Sequence, residues 1–430
     1  MQLNKGQQEA EEAVFNFLMS EDKEFILSGS AGVGKTFLMR HIMDNLLKRY
    51  NAACDLLQLP NKLDTMELTA TTNKAAEVLQ YATGYPSSTI HSFLGLKVFD
   101  DYKTGVSKVK KTANWTVHNN IVLFIDEASM IDSPLHKFIL EGTNKNCKII
   151  YVGDHNQLAP IFETISPVYK DPKHFVVLTE PMRNADQPAL MDLCSQLRET
   201  VETLKFKPIE AVPGVIDYIN DADLKTILDT EFIKDDFNCR ILCYTNQRVI
   251  LYNDYIRGIR GYGNTYEVGE KVINNIAMEM GKTMLRVEQE FEVLEVIKPI
   301  HEVQIDSIDK NSGMMVYTLK IKDVKSVAQY VVNVPADADH YKSMMKYYAK
   351  IKAWQLFYHL KNNFPDLRPK DSSTVYKAQG STYDSVIIDL TNISTCHQPD
   401  QVARMLYVAA SRPKNRVFLY GKLSEKYGGI

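Results

Sequence analysis

Residues 25–40, FILSGSAGVGKTFLMR, decide the fold. The run Phe25 to Leu27 has the apolar character of a buried strand, a glycine-rich turn follows, and the residues after Lys35 have the spacing of a helix. The turn, Gly29-Ser30-Ala31-Gly32-Val33-Gly34-Lys35-Thr36, fits the pattern G-x-x-x-x-G-K-[ST] in the strand-turn-helix context that gives it meaning. Glycines let main-chain N–H groups converge on phosphate oxygens at a helix N-terminus, where the helix dipole also favours anions. Lys35 is expected to reach the β- and γ-phosphates of a nucleoside triphosphate, and Thr36 to hold Mg²⁺.

Outward from that stretch, short apolar runs alternate with helix-like segments. The runs are MELTAT (66–71), NIVLFIDE (120–127), CKIIYVGD (147–154) and HFVVLTE (174–180), and the helix-like segments are 6–19, 35–49, 73–82 and 133–142. Each run is short, β-branched and bounded by polar or turn residues, as buried parallel strands are. The alternation predicts a doubly wound α/β domain. Asp126 and Glu127 leave the carboxyl end of one such strand, where open α/β sheets bind ligands. Asp126 suits the Mg²⁺ shell, and Glu127 is placed to orient or deprotonate an attacking water. The next strand ends at Asp154 and Gln157, beside the expected γ-phosphate. Arg183 and Arg412 are candidates for bidentate pairing with phosphate oxygens.

Two interruptions break the rhythm. LKVFDDYKTGVSKVKKTANW (96–115) has β-like runs flanking Lys103-Thr104-Gly105 and predicts an inserted hairpin over 97–111, rich in lysine at Lys97, Lys103, Lys108, Lys110 and Lys111. A second α/β pattern starts near CRILCYTNQRVILYNDYIR (239–257). It gives way to the β-like runs FEVLEVI, EVQIDSI, MMVYTLKI and QYVVNV between about 285 and 335, which predict a small β-barrel. A Tyr- and Lys-rich helical stretch, ADHYKSMMKYYAKIKAWQLFYHL (338–360), follows, and its aromatics at helical spacing favour a packed stem over a DNA platform. The α/β pattern resumes at SVIIDL (385–390) and RVFLYG (416–421).

The composition, 45% hydrophobic and 24% charged over 430 residues, is that of a folded protein of several domains. A net charge of -3 gives no global field for nucleic acid or anionic membrane, so any polyanion must be gripped locally. No export signal or membrane-length apolar run occurs, and the six cysteines lack metal spacing, so reduced thiols and a cytoplasmic location are expected.

The segments, taken in order, resemble those of superfamily 1 helicases, in the 5′-to-3′, RecD-like branch. LNKGQQEA resembles the adenine-recognising Q motif with Gln7, GSAGVGKT motif I, LTATTNKAA motif Ia, STIHSFLG motif Ib and FIDEASM motif II. GDHNQLAP resembles motif III, PMRN motif IV, STVYKAQGSTYDSVII motif V and RMLYVAASR motif VI. The resemblance implies two RecA-like domains with ATP between them. The first comprises 1–92 and 118–195, with a pin-like insertion at 93–117. The second comprises 196–284 and 369–430, with an SH3-like barrel and helical stem inserted at 285–368. It implies an ATP and Mg²⁺ site built from Gln7, Gly29, Gly32, Gly34, Lys35, Thr36, Asp126, Glu127, Gln157, Arg183, Gln379, Gly380 and Arg412. Single-stranded DNA would be met by Thr71, Thr72, Asn73, His91, Ser92, Thr245, Asn246, Thr374, Tyr376 and Lys377. Short hydroxyl and amide side chains make the sequence-neutral phosphate contacts a tracking motor requires. Tyr376 departs from the His usual at its place in motif V. Phe99 or Tyr102 on the hairpin would stack on the fork.

The function implied is an ATP-driven 5′-to-3′ DNA translocase and helicase in phage-type replication or recombination. It would act as a monomer on single-stranded and fork DNA, beside a single-strand binding protein or recombinase, and away from membranes. An RNA remodeller of the same superfamily, or an ATP-gated switch that does not translocate, shares most of these features. The pin-like insertion and the motif V and VI segments weigh against the switch.

Overall fold

The structure, a computed structural model, describes residues 2–428 except 31, 61, 105–106, 161–162, 164, 181–186, 235–237, 264, 281–282 and 307–311. Contacts divide the chain into two compact units. One holds residues 1–97, 111–219 and 378–430, the other 98–110 and 220–377.

The first unit is built on a six-stranded sheet ordered β3-β2-β6-β7-β1-β8. Its strands are β1 (Glu24–Gly29), β2 (Thr65–Ala70), β3 (Ser87–Thr89), β6 (Ile121–Asp126), β7 (Lys148–Gly153) and β8 (Phe175–Leu178). All five pairings are parallel. The central strands β6 and β7 carry apolar residues on both faces, because helices cover both sides. On one face α1 (Lys5–Met19), α2 (Lys35–Leu57) and α3 (Asn73–Thr83) bury Phe17, Leu38, Ile42 and Leu79 against Leu27, Phe124 and Val152. Each such large apolar side chain contributes about 1.5–3 kcal/mol by leaving water. Also in this unit are α4 (Ile90–Phe93), α5 (Ser133–Glu141), α6 (Pro188–Thr203), α12 (Leu390–Ile393) and α13 (Pro399–Ala410). Three further strands, β9 (Ile216–Ile219), β19 (Tyr383–Asp389) and β20 (Pro413–Tyr420), pair in parallel, β20 with both others.

Helix starts follow side-chain chemistry. Asn4 and Gln7 form a capping box on α1, with Gln7 N to Asn4 Oδ1 at 2.8 Å and Asn4 N to Gln7 Oε1 at 3.1 Å. Thr72 caps α3 and Asp132 caps α5. Helix α2 differs: Gly34 precedes it in the left-handed region (φ 79°) and no side chain caps its first N–H groups. Those donors stay available for an anion. The helix also runs a full two turns past the expected end at 49, reaching Leu57.

In the second unit, β10 (Cys239–Cys243) and β18 (Ser372–Thr374) pair in parallel, with α7 (Asp221–Thr230), α8 (Asn246–Ile259) and the short α11 (Val375–Ala378) alongside in sequence. An antiparallel sheet runs β16-β15-β14-β11-β17. It consists of β11 (Lys271–Asn274), β14 (Glu290–Gln304), β15 (Gly313–Asp323), β16 (Gln329–Pro335) and β17 (Leu367–Pro369), and a separate pair is β12 (Met278–Met280) with β13 (Thr283–Leu285). Ser307 and Ile308 lie outside the described residues, while the expected strand FEVLEVI and the first three residues of EVQIDSI are one strand, β14. Its pairing to β15 shifts register three times between Val293 and His301, so the chain bends through Pro299 instead of breaking there. Phe291, Val293, Leu319, Ile321, Val332 and Val334 form the core of this sheet.

The aromatic stretch forms α9 (Ala338–Lys350) and α10 (Trp354–Asn363). Tyr348, Leu360 and Phe364 are buried together with Met314 and Val316 of β15, Tyr341 and Phe357 pack partly buried against them, and Tyr347 is exposed. Strands β4 (Leu96–Asp100) and β5 (Ser107–Lys111) pair as a two-stranded sheet. All six cysteines are free thiols, five of them buried, and burial pushes the sixth, Cys194, up to about 12. Among the described residues no helix is long and apolar enough to cross a membrane.

Candidate nucleotide and nucleic-acid sites

The carboxyl ends of β1, β6 and β7 lie side by side, and the candidate residues of the first unit gather there. Gly29 closes β1 where nothing larger fits: a Cβ would lie 2.8 Å from Val33 Cγ2 and 2.9 Å from Leu178 O. Gly32 and Gly34 turn the loop with φ of 87° and 79°. Lys35 Nζ lies across the loop, donating to Gly29 O at 2.7 Å and Ser30 O at 2.9 Å. Thr36 is the second residue of α2 and half-buried. Gln7 is fully buried, its Oε1 in the capping box and its Nε2 3.5 Å from Val33 O, which ties α1 to the phosphate loop.

Asp126 accepts the N–H of Glu127 at 2.9 Å. Burial, and then the neighbouring Glu127, push its carboxyl up to about 7 against the pull of Lys35. A carboxylate this poorly solvated has strong reason to accept a cation. Glu127 stands in the left-handed region (φ 54°, ψ 42°), unusual for a residue with a side chain and a place where strain concentrates at functional sites. Gln157 is buried and its Oε1 has no partner among the described residues. An uncapped helix start, a loop lysine, a desolvated Asp and an orphaned amide oxygen fit a triphosphate with a divalent cation. In that arrangement Asp126 and Thr36 would hold the metal and the glycine loop and Lys35 the phosphates. Among the described residues no group of three His, Cys, Asp or Glu side chains could hold a metal unaided.

Motif V reaches this turn. Gln379 Nε2 donates to Ser129 Oγ at 3.0 Å, Lys74 Nζ donates to Ser381 Oγ at 2.6 Å, and a Cβ on Gly380 (φ 75°) would lie 3.6 Å from Glu127 Oε1. The Oε1 of Gln379 is a second orphaned amide oxygen. Arg412 is buried, and its guanidinium is held within its own segment by Val408 O (2.9 Å), Ser411 Oγ (2.7 Å) and Ser381 O (3.3 Å). Arg183 lies outside the described residues.

The sequence pattern did not reveal what steadies motif III. Arg404 Nη1 donates to His155 O at 2.8 Å and Gln157 O at 2.7 Å, and Tyr407 Oη donates to Asp154 Oδ2 at 2.5 Å. Ser28 Oγ and His155 Nδ1 share a hydrogen bond of 2.8 Å, and burial lowers the His155 pKa. The clue was the helical spacing of Arg404 and Tyr407, which places both on one side of α13.

Of the strand-facing candidates in this unit, Thr71 donates its hydroxyl to Glu127 O at 3.2 Å, which joins motif Ia to the turn after β6. Thr72 is occupied as the α3 cap, while Asn73 and Ser92 are exposed. His91 is half-buried, with its pKa lowered by burial.

In the second unit Asn246, Thr374 and Lys377 line one open hollow, together with Asn275, Arg368 and Ser373, which the sequence did not single out. Thr245 caps α8 through its side chain. Tyr376 is half-buried on α11. Burial lowers the Lys377 pKa, partly opposed by Glu288. The hairpin is anchored by Asp100, which accepts from Lys361 Nζ at 2.9 Å, Asn362 Nδ2 at 3.1 Å and Ser107 Oγ at 2.6 Å. Tyr102 packs on Tyr358 with ring centroids 4.9 Å apart, and Phe99 is 40% exposed.

A parallel α/β sheet with this loop and these strand ends defines a P-loop nucleotide-binding fold. The AAA domain family profile matches residues 10–163, and the UvrD-like helicase C-terminal domain profile matches residues 371–420. The ATP-dependent DNA helicase Dda of Enterobacteria phage T4 is 23% identical, over 97% of this chain and 98% of the phage protein. The RecBCD subunit RecD of Buchnera aphidicola (subsp. Schizaphis graminum) is 32% identical over 31% of this chain and 23% of RecD. The crystal structure of a Bacteroides Pif1 helicase with ADP-AlF3 and ssDNA superposes with a TM-score of 0.51 at 14% identity, covering 100% of this chain and 95% of that one. The chain is thus similar to DNA helicases of the Dda and RecD type in sequence and to a Pif1 helicase in fold.

Proposed function

We propose that the chain is an ATP-dependent DNA helicase that translocates 5′-to-3′ along single-stranded DNA. The observation that carries this is the sharing of one turn by two chemistries. Glu127, the candidate base, offers its carbonyl to Thr71 of the strand-facing motif Ia, while Gly380 of motif V lies against its carboxylate. A change in the turn when phosphate is cleaved is therefore felt directly by a segment that grips a strand.

In this mechanism Lys35 and the loop N–H groups bind the triphosphate, Thr36 and Asp126 hold Mg²⁺, and Glu127 and Gln157 orient the attacking water. Mg²⁺ held there would supply positive charge to the phosphates. Arg183 and Arg412 supply further positive charge to the transferred group. Residues 196–284 and 369–430 form the second RecA-like domain, with 285–368 as its SH3-like insertion and 93–117 as the pin. Thr245, Asn246, Thr374, Tyr376 and Lys377 face the strand, and Phe99 stacks at the fork. The resemblance to the RecD-like branch supports the polarity and a role in phage-type replication or recombination.

The test is ATP turnover without nucleic acid, then with single-stranded DNA and RNA of increasing length, followed by unwinding of forks of each polarity. Turnover that rises with DNA length but not RNA length, with unwinding from a 5′ tail, is the expected result. Turnover indifferent to both polymers would make the chain a nucleotide switch, and an equal response to RNA would make it a remodeller of either polymer.

A further inference from the structure

Tyr169 lies against the nucleotide site without a role in any motif. It ends the turn Pro167–Tyr169, which is stapled to the segment after Glu127: Ser166 Oγ donates to Ile131 O at 2.7 Å, and Tyr169 N donates to Ser166 O at 3.1 Å. Its ring meets His155 edge to face, with centroids 6.1 Å apart. The phenol runs into the crease between the ends of β6 and β7. Gly153 makes room for it, since a Cβ there would lie 2.6 Å from Tyr169 Oη and 3.1 Å from Ala128 N.

Tyr169 is only 9% exposed, and its buried hydroxyl has no hydrogen-bond partner among the described residues. Leaving such a group unpaired is costly, so phenylalanine would serve the fold better. The Glu127 carboxylate, whose turn lines the same crease, has no hydrogen-bond donor among the described residues. Burial, then Asp154, Glu127 and Asp126 in that order, hold the phenol well above its usual pKa. It is therefore a neutral O–H donor with its proton unused and carboxylates around it.

We propose that Tyr169 is a positioning residue for ATP hydrolysis: its hydroxyl donates through one bridging water to the Glu127 carboxylate and aims that carboxylate at the attacking water. This rests on the ATPase function proposed above.

Tyr169→Phe keeps the ring and removes only the oxygen. In the full chain with saturating single-stranded DNA, kcat for ATP should fall about tenfold while KM stays within about twofold. The thermal midpoint should hold or rise, because no hydrogen bond of the fold is removed. In single-turnover reactions Tyr169→Phe should add nothing to Glu127→Gln, since one acts through the other. An unchanged kcat beside an inactive Lys35→Ala control would overturn the proposal. So would a loss that multiplies with that of Glu127→Gln, or one accompanied by a lower thermal midpoint. A Lys35→Ala chain that still turned over ATP would instead overturn the nucleotide site itself.

Discussion

Lys35 and Glu127 lie on two different turns of the candidate site. Lys35 Nζ donates to two carbonyls of the candidate phosphate loop, whereas Glu127 stands in a left-handed conformation at the end of β6. Glu127→Gln should preserve ATP and DNA binding and lower turnover by about a hundredfold or more, the scale of a missing general base. Lys35→Ala should weaken ATP binding as well. Nucleotide titration beside steady-state turnover checks both, and near-normal turnover in the two variants would dismiss the site. His155 gives a pH signature. Burial depresses its pKa, so the unfolded chain takes up a proton that the folded chain resists. Its stabilising contribution is therefore present above the ordinary histidine pKa of about 6.5 and is lost as pH falls through the lower, folded value. Urea midpoints measured from about pH 7 to about pH 5.5 should fall less in His155→Asn than in the unchanged chain.

The candidate phosphate-binding residues were legible in the sequence because such chemistry demands particular residue types at fixed spacing. Arg404, Tyr407 and Tyr169 were not. Arg404 acts on main-chain carbonyls, which carry no sequence signal, and Tyr407 and Tyr169 reach their neighbours from distant segments.

At the scale of elements, parallel strands were legible as short β-branched runs, since two covered faces demand apolar residues throughout. β14 was not, because Pro299 normally ends a strand and only the register shifts let the chain continue. The hairpin was legible from its turn, but its attachment was not. Asp100 binds Lys361 and Asn362 of α10, residues 261 and 262 positions away in sequence. A hairpin that meets a duplex must resist being pushed aside. Asp100→Ala should therefore reduce fork unwinding while leaving DNA-stimulated ATP turnover within about twofold of the original, because none of the anchoring residues belongs to the candidate nucleotide site. Phe99→Ala should do the same: Phe99 and Tyr102 are both exposed, at 40% and 52%, but Tyr102 is also engaged with Tyr358. Unwinding and translocation assays run in parallel decide this, and equal loss in both would mean the hairpin supports the motor rather than the fork.

For the whole molecule, a net charge of -3 means that DNA would have to be held by a few local cations rather than by a general field. Removing one cation that pairs with a DNA phosphate should lower the slope of log affinity against log salt by about 1. Lys377→Ala should show that change on single-stranded DNA of any sequence, and an unchanged slope would move the strand away from the hollow that Lys377 lines. The thiols add a practical control for all these variants. Five are buried and the sixth, Cys194, is held as the unreactive thiol by its surroundings. Alkylation in native buffer should thus be slow for every cysteine and become fast only in molecules that have opened. Thiol counting on a quenched sample therefore separates a variant deprived of its chemistry from one deprived of its shape.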